Sequence, residues 1–264
     1  MAGLDRWIEA VSRRERALTL AGLAGIVALA WLYLFRLSQE MESMAAMGMA
    51  HVEAWTLADA ALTTTMWAVM MAAMMLPGAT PVLLVFTTVN SKRRADHSVG
   101  GAPPLVSTGL FTLGYLLVWG GFSLAAATAQ WGLQAAALLT DDAWTVMPVV
   151  GAAVLIAAGV YQLTPLKYAC LARCQTPLGF LLSEWRDGDL GALVMGLRHG
   201  LFCLGCCWVL MALLFVGGVM NLAWVAAITA FVLLEKLLPA GRAISWITGL
   251  GLILWGIVTL RWSL

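Results

Sequence analysis

Charge is scarce in this chain: its 264 residues include 15 Lys or Arg and 14 Asp or Glu, and the net charge of +1 points to no acidic or basic partner. Histidine is scarcer, with only His51, His97 and His199. Of these only His199 lies in an apolar run, which excludes a haem held by two histidines within a membrane. No basic run and no alternation of basic and aromatic residues offers a track for a phosphate backbone, so nucleic acid is excluded as a partner. No Walker loop, aspartyl-phosphate motif or other nucleotide element is present, which excludes a pump driven by nucleotide hydrolysis within this chain.

Apolar residues fill the chain instead. Hydrophobic types make up 62% of it and Trp alone occurs 13 times, more than a soluble domain of this length carries. The partner this composition implies is a lipid bilayer. About 20 helical residues cross roughly 30 Å of hydrocarbon. Stretches of that order run over 17–35, 62–89, 105–129, 146–163, 201–219, 222–238 and 243–260. The expected fold is therefore an all-α, polytopic transmembrane bundle of about seven helices. Residues 17–264 form its single membrane domain, after an N-terminal segment 1–16. Pro77 and Pro81 predict a kink or tilt in the second helix. Glu235 and Lys236, in the last turns of the sixth, read as interfacial side chains that snorkel, and His97 as a solvated loop residue.

Basic residues favour the cytoplasmic side. With the N-terminus inside, 13 of the 15 Lys and Arg fall on inner segments, and Arg36 and Arg261 are the exceptions. The outer segments hold Glu40, Glu42, Glu53, Asp59, Asp141 and Asp142. A cleaved signal peptide is the competing account of the first apolar run, but its length suits a full span and no small-x-small site closes it.

In this topology the sulfur residues separate. Nine of the 14 Met lie between residues 41 and 75. Met41, Met44, Met47 and Met49 belong to a Met-rich outer loop, 37–60, together with His51, and Met66, Met70, Met71, Met74 and Met75 belong to the outer part of the second helix. All five Cys fall toward the inner side. Cys170 and Cys174 lie in the loop after the fourth helix, and Cys203, Cys206 and Cys207 at the start of the fifth. An odd number of thiols on a reducing side makes structural disulfides a poor explanation.

Met195, His199, Cys203, Cys207 and Met211 recur every fourth residue, with Cys206 beside Cys207, so a soft-ligand stripe runs along one helix face. Thioether and thiolate donors select Cu(I) over hard cations. Copper as Cu(I) is the expected metal, and zinc is the alternative that the Cys and His set also suits. Met outside and Cys inside would make a gradient of rising affinity. Each element has a structural reading too, since Met fills irregular cores and buried Cys acts as a small hydrophobe.

The stretches MMAAMMLPGATP (70–81), YQLTPLKYACLARCQTPL (161–178) and GLRHGLFCLGCCWVLMALLFVGGVMN (196–221), followed by LLEK (233–236), resemble the bacterial domain-of-unknown-function family described as predicted metal-binding integral membrane proteins. The resemblance covers roughly 60–255. It implies a multi-pass protein of the bacterial inner membrane, with Met70, Met71, Met74, Met75, Cys170, Cys174, His199, Cys203, Cys206 and Cys207 as the metal-binding residues. Three functions follow. The leading one is Cu(I) handling, by transport or by delivery to a membrane metalloenzyme, with a copper chaperone as a further partner. The second is a thiol-disulfide redox enzyme working through Cys206, Cys207, Cys170 and Cys174. The third is an accessory subunit with a structural metal site.

Overall fold

The apolar runs fold as helices, and the charged residues between them extend those helices more often than they end them. The computed structural model describes residues 2–46, 56–95, 103–139 and 145–263. Among these, ten helices follow in order: α1 (Ala2–Ala46), α2 (Leu57–Ala95), α3 (Pro104–Ala135), α4 (Pro148–Gln162), α5 (Pro165–Gln175), α6 (Pro177–Glu184), α7 (Gly188–Ala212), α8 (Leu214–Gly217), α9 (Leu222–Leu237) and α10 (Gly241–Ser263). The only β pairing among the described residues is the isolated bridge Leu139–Val146. The fold is an all-α bundle.

Five of these helices are long and apolar enough to cross a membrane, and the bent pair α4–α5 makes a sixth. The seven expected spans are largely helical, but α4 and α9 have only 15 and 16 residues, and the run 201–219 is broken between α7 and α8. Thr164 caps α5 by accepting from the Lys167 backbone N–H at 3.3 Å, and Pro165 cannot continue α4, so the chain turns by 66° between them. Cys170 and Cys174 are thereby on a helix, not in a loop. Similarly, α7 begins at Gly188, well before the charge-free stretch. Its charged residues are accommodated: Asp189 accepts from Ser107 Oγ at 2.8 Å, and Arg198 pairs with Glu184. Cys203 thus sits in the middle of α7 and not at its start. At the N-terminal end, α1 takes in the segment before the first apolar run and continues to Ala46, so Met41 and Met44 are helical rather than loop residues. Met47, Met49, His51 and His97 lie outside the described residues.

The closest packing is helix on helix through glycine. α3 runs along α7, where a Cβ at Gly196 would collide with the Phe111 backbone and one at Gly114 with the Leu193 carbonyl. α10 runs along α4, where Gly249 faces the Gly159 carbonyl and Gly256 that of Ala152, each at 2.9 Å from a built Cβ. Small residues let two helix backbones approach this closely. α1 lies along α2, and α2 along α3. α2 remains helical through both prolines.

Candidate metal centre

The stripe on α7 is buried. His199, Cys203, Cys206, Cys207, Met195 and Met211 are each 0–2% exposed. α7 faces α2 across this stripe, and there the two sulfur types meet. Met75 Sδ lies 4.0 Å from Cys207 Sγ, and the Met75 carbonyl accepts from the Tyr115 hydroxyl at 3.0 Å. Tyr115, on α3, also lies 3.0 Å from Cys203 Sγ. Both neighbouring thiols point back along the helix: Cys206 Sγ and Cys207 Sγ are 3.0 Å from the Cys203 carbonyl. This pocket of Met75, Cys203 and Cys207 is the innermost sulfur site.

A second pair adjoins the first, since Cys174 also reaches Cys203. Cys174 Sγ is 4.0 Å from Cys206 Sγ, and Cys170 Sγ presses on Gly205, where a Cβ would meet it at 2.7 Å. The C-x3-C spacing of Cys170 and Cys174 is the i, i+4 spacing of one helix face, which turns both toward α7. Both are half-buried, so the sulfur chain runs from a sealed pocket to a partly accessible one.

His199 lies on α7 one turn before Cys203. Its ring is enclosed by Phe111, Tyr115 and Phe180, with centroids 6.1, 5.8 and 5.0 Å away, and its Nδ1 has no hydrogen-bond partner among the described residues. Buried polar atoms are seldom left unpaired, so an orphaned imidazole nitrogen beside sulfurs suits a soft metal.

The remaining predicted ligands are placed apart. Met66, Met70, Met71 and Met74 are buried core side chains, and among the described hydrogen bonds only Met75 of this ladder reaches another sulfur. Met195 Sδ accepts from the Arg186 backbone N–H at 3.3 Å, and Met211 packs in the core. The expected separation of outer Met from inner Cys is therefore incomplete, because Met75 stands at the level of Cys207. Among the described residues no three His, Cys, Asp or Glu side chains are already gathered as a metal cluster.

Two charged residues read from sequence as interfacial are buried instead. Glu235 is 1% and Lys236 6% exposed. Lys167 Nζ donates to both Glu235 oxygens at 2.8 Å, and Ser245 and Gln162 also donate to that carboxylate. Lys236 Nζ donates instead to Cys203 Sγ at 3.0 Å, with Met75 Sδ 3.9 Å away. Charges inside an apolar helix are themselves a functional signal, and LLEK carried it. Their position near a helix end concealed it: Leu234, Leu237 and Leu238 around them are exposed, while Glu235 and Lys236 themselves turn inward.

The model of a family described as copper chaperone, PpoB2, matches residues 64–259, about three quarters of the chain and all of the centre just described. The chain belongs to this copper chaperone family. No curated protein and no solved structure matches it significantly. The family ties the chain to copper handling, and the sulfur-lined interface of α2, α5 and α7 lies wholly within the matched region.

Proposed function

We propose that the chain is a multi-pass chaperone of the bacterial inner membrane that binds Cu(I) between Met75, Cys203 and Cys207 and delivers it to a membrane metalloenzyme. The observation that carries this is the meeting of Met75 Sδ and Cys207 Sγ at 4.0 Å beside Cys203. Metal–thiolate bonds are about 2.3 Å long for an ion such as zinc, so one ion fits between two sulfurs at this spacing. Two or three soft donors satisfy Cu(I), whereas zinc needs about four ligands in a tetrahedron. The Cys174–Cys206 pair, at the same 4.0 Å spacing, would take the ion onward through the half-buried face of α5. The family description as a chaperone favours delivery over vectorial transport.

Replacing Cys203 and Cys207 together by Ser tests the reading, because Ser matches Cys in size but offers a hard oxygen. Purified under reducing conditions, the double variant should retain less than about a tenth of the wild-type copper, with an unchanged level of inserted protein. Equal copper in variant and wild type would make the thiols packing residues. The thiol-disulfide alternative rests on the contacts of Cys174 with Cys206 and Cys203. It requires Cys174→Ser to abolish function while copper remains in the Met75 pocket.

A further inference from the structure

The buried lysine of α9 has unusual company. Glu235 and Lys236 are consecutive, yet they point to different sites, since neighbours on a helix are about 100° apart. The carboxylate of Glu235 is occupied by Lys167, Ser245 and Gln162. Lys236 has no carboxylate of its own among the described residues. Its ammonium lies 3.0 Å from Cys203 Sγ and 3.9 Å from Met75 Sδ, and its neighbours across the pocket are Cys207 and the Tyr115 hydroxyl. A buried ammonium is costly to desolvate, and a purely structural side chain here would be better served by a methionine of the same length.

We propose that Lys236 is a place-holder for the cargo: its ammonium and Cu(I) compete for the same sulfurs, and loading displaces the one with the other. This rests on the copper reading above. Both cations carry a single positive charge, and a thiol of Cys203 or Cys207 that binds the ion as thiolate releases its proton to solvent as the ion enters. The ammonium keeps its protons, and no electron moves. The lysine stem lies against Gly78, where a Cβ would stand 3.2 Å from Lys236 Cδ and 3.5 Å from Nζ, so the missing side chain is what admits the stem beside α2. A flexible four-carbon stem can carry the ammonium away without displacing α9. On delivery the lysine returns to the sulfurs and helps expel the ion. A chaperone needs this, because a site that only holds copper cannot hand it on.

The test compares full-length wild type with Lys236→Met and Lys236→Gln, titrated with Cu(I) against a chromogenic Cu(I) chelator under reducing conditions. If the ammonium occupies the pocket about nine-tenths of the time, removing it raises affinity about tenfold, and release to excess chelator slows in proportion. Affinity equal to or weaker than wild type, in variants that melt normally without copper, overturns the proposal. Wild-type protein gives an independent reading, since its only lysines are Lys92, Lys167 and Lys236. With 15N-labelled lysine, the Lys236 side-chain signal should move on addition of Cu(I), and a stationary signal in protein that has bound copper overturns the proposal as well. Failure of the parent reading looks different: Cys203→Ser/Cys207→Ser protein would keep its copper whatever stands at position 236.

Discussion

At the scale of single residues, the ion pair between Lys167 and Glu235 is the feature with most at stake. Both side chains are almost wholly buried, at 0% and 2% exposure, and the pair ties α5 to α9 behind the sulfur pocket. Removing one partner leaves the other charge buried and uncompensated, which typically costs about 3–5 kcal/mol. Glu235→Leu should therefore lower stability by about that much, read as thermal unfolding in detergent. The double variant Lys167→Met/Glu235→Leu should recover most of the loss, because it removes the uncompensated charge. A double variant as unstable as the single one would mean that Gln162 and Ser245, not the lysine, are the partners that matter. Periodicity alone made the stripe His199, Cys203, Cys207 legible, since spacing of four is a property of one helix. The choice of Met75 among five methionines was not legible, because it depends on which turn of α2 faces α7. The pairing of Lys236 with sulfur is hidden for the same reason: sequence shows a charge near a helix end but not which face of that turn is buried.

Between elements, the approach of α3 to α7 sets the distance from Tyr115 to Cys203. Gly196 is the closest point, where a side chain would run into the Phe111 backbone. Gly196→Ala must push the helices apart, and overpacking of this kind costs about 1–3 kcal/mol. Copper affinity should fall along with melting temperature, since Tyr115 would retreat from Cys203. Gly120→Ala is the matched control: a Cβ there meets nothing within 4 Å, and a helical Gly→Ala change without contacts gains about 0.5–1 kcal/mol. If the two variants behave alike, the α3–α7 contact is not what positions the site. At this scale the sequence was partly legible. Apolar runs located every long helix, but a criterion based on absence of charge cut α7 short, because the charged residues of its first turns, paired with Ser107 and Glu184, continue the helix. It also missed α5, whose polar residues hid a helix that Thr164 and Pro165 start afresh.

Across the whole molecule, the two ends of the bundle differ in charge. Arg93 pairs with Asp187 at one end, where Ser91 also reaches Glu15 of α1. At the other end Pro148 borders a groove with Trp255 and Trp262, which places the end of α10 beside the start of α4. If the basic end faces the cytoplasm, Cys substituted at the exposed Lys92 in a Cys-depleted background should resist an impermeant thiol reagent in intact cells, whereas Cys at Trp262 should react. The reverse pattern would invert the orientation. The buried charges of α9 then bear on how such a chain is made. If the chain is inserted into a membrane, a helix bearing both Glu235 and Lys236 enters hydrocarbon poorly by itself, since a charge costs about 2.5–3.5 kcal/mol for insertion at a helix centre and less toward its end. Its partners, Lys167 on α5 and Cys203 on α7, are synthesised earlier. Under that reading biogenesis is ordered by chemistry: α9 and α10 settle only into a bundle already assembled, and the proposed copper pocket closes as the last step of insertion.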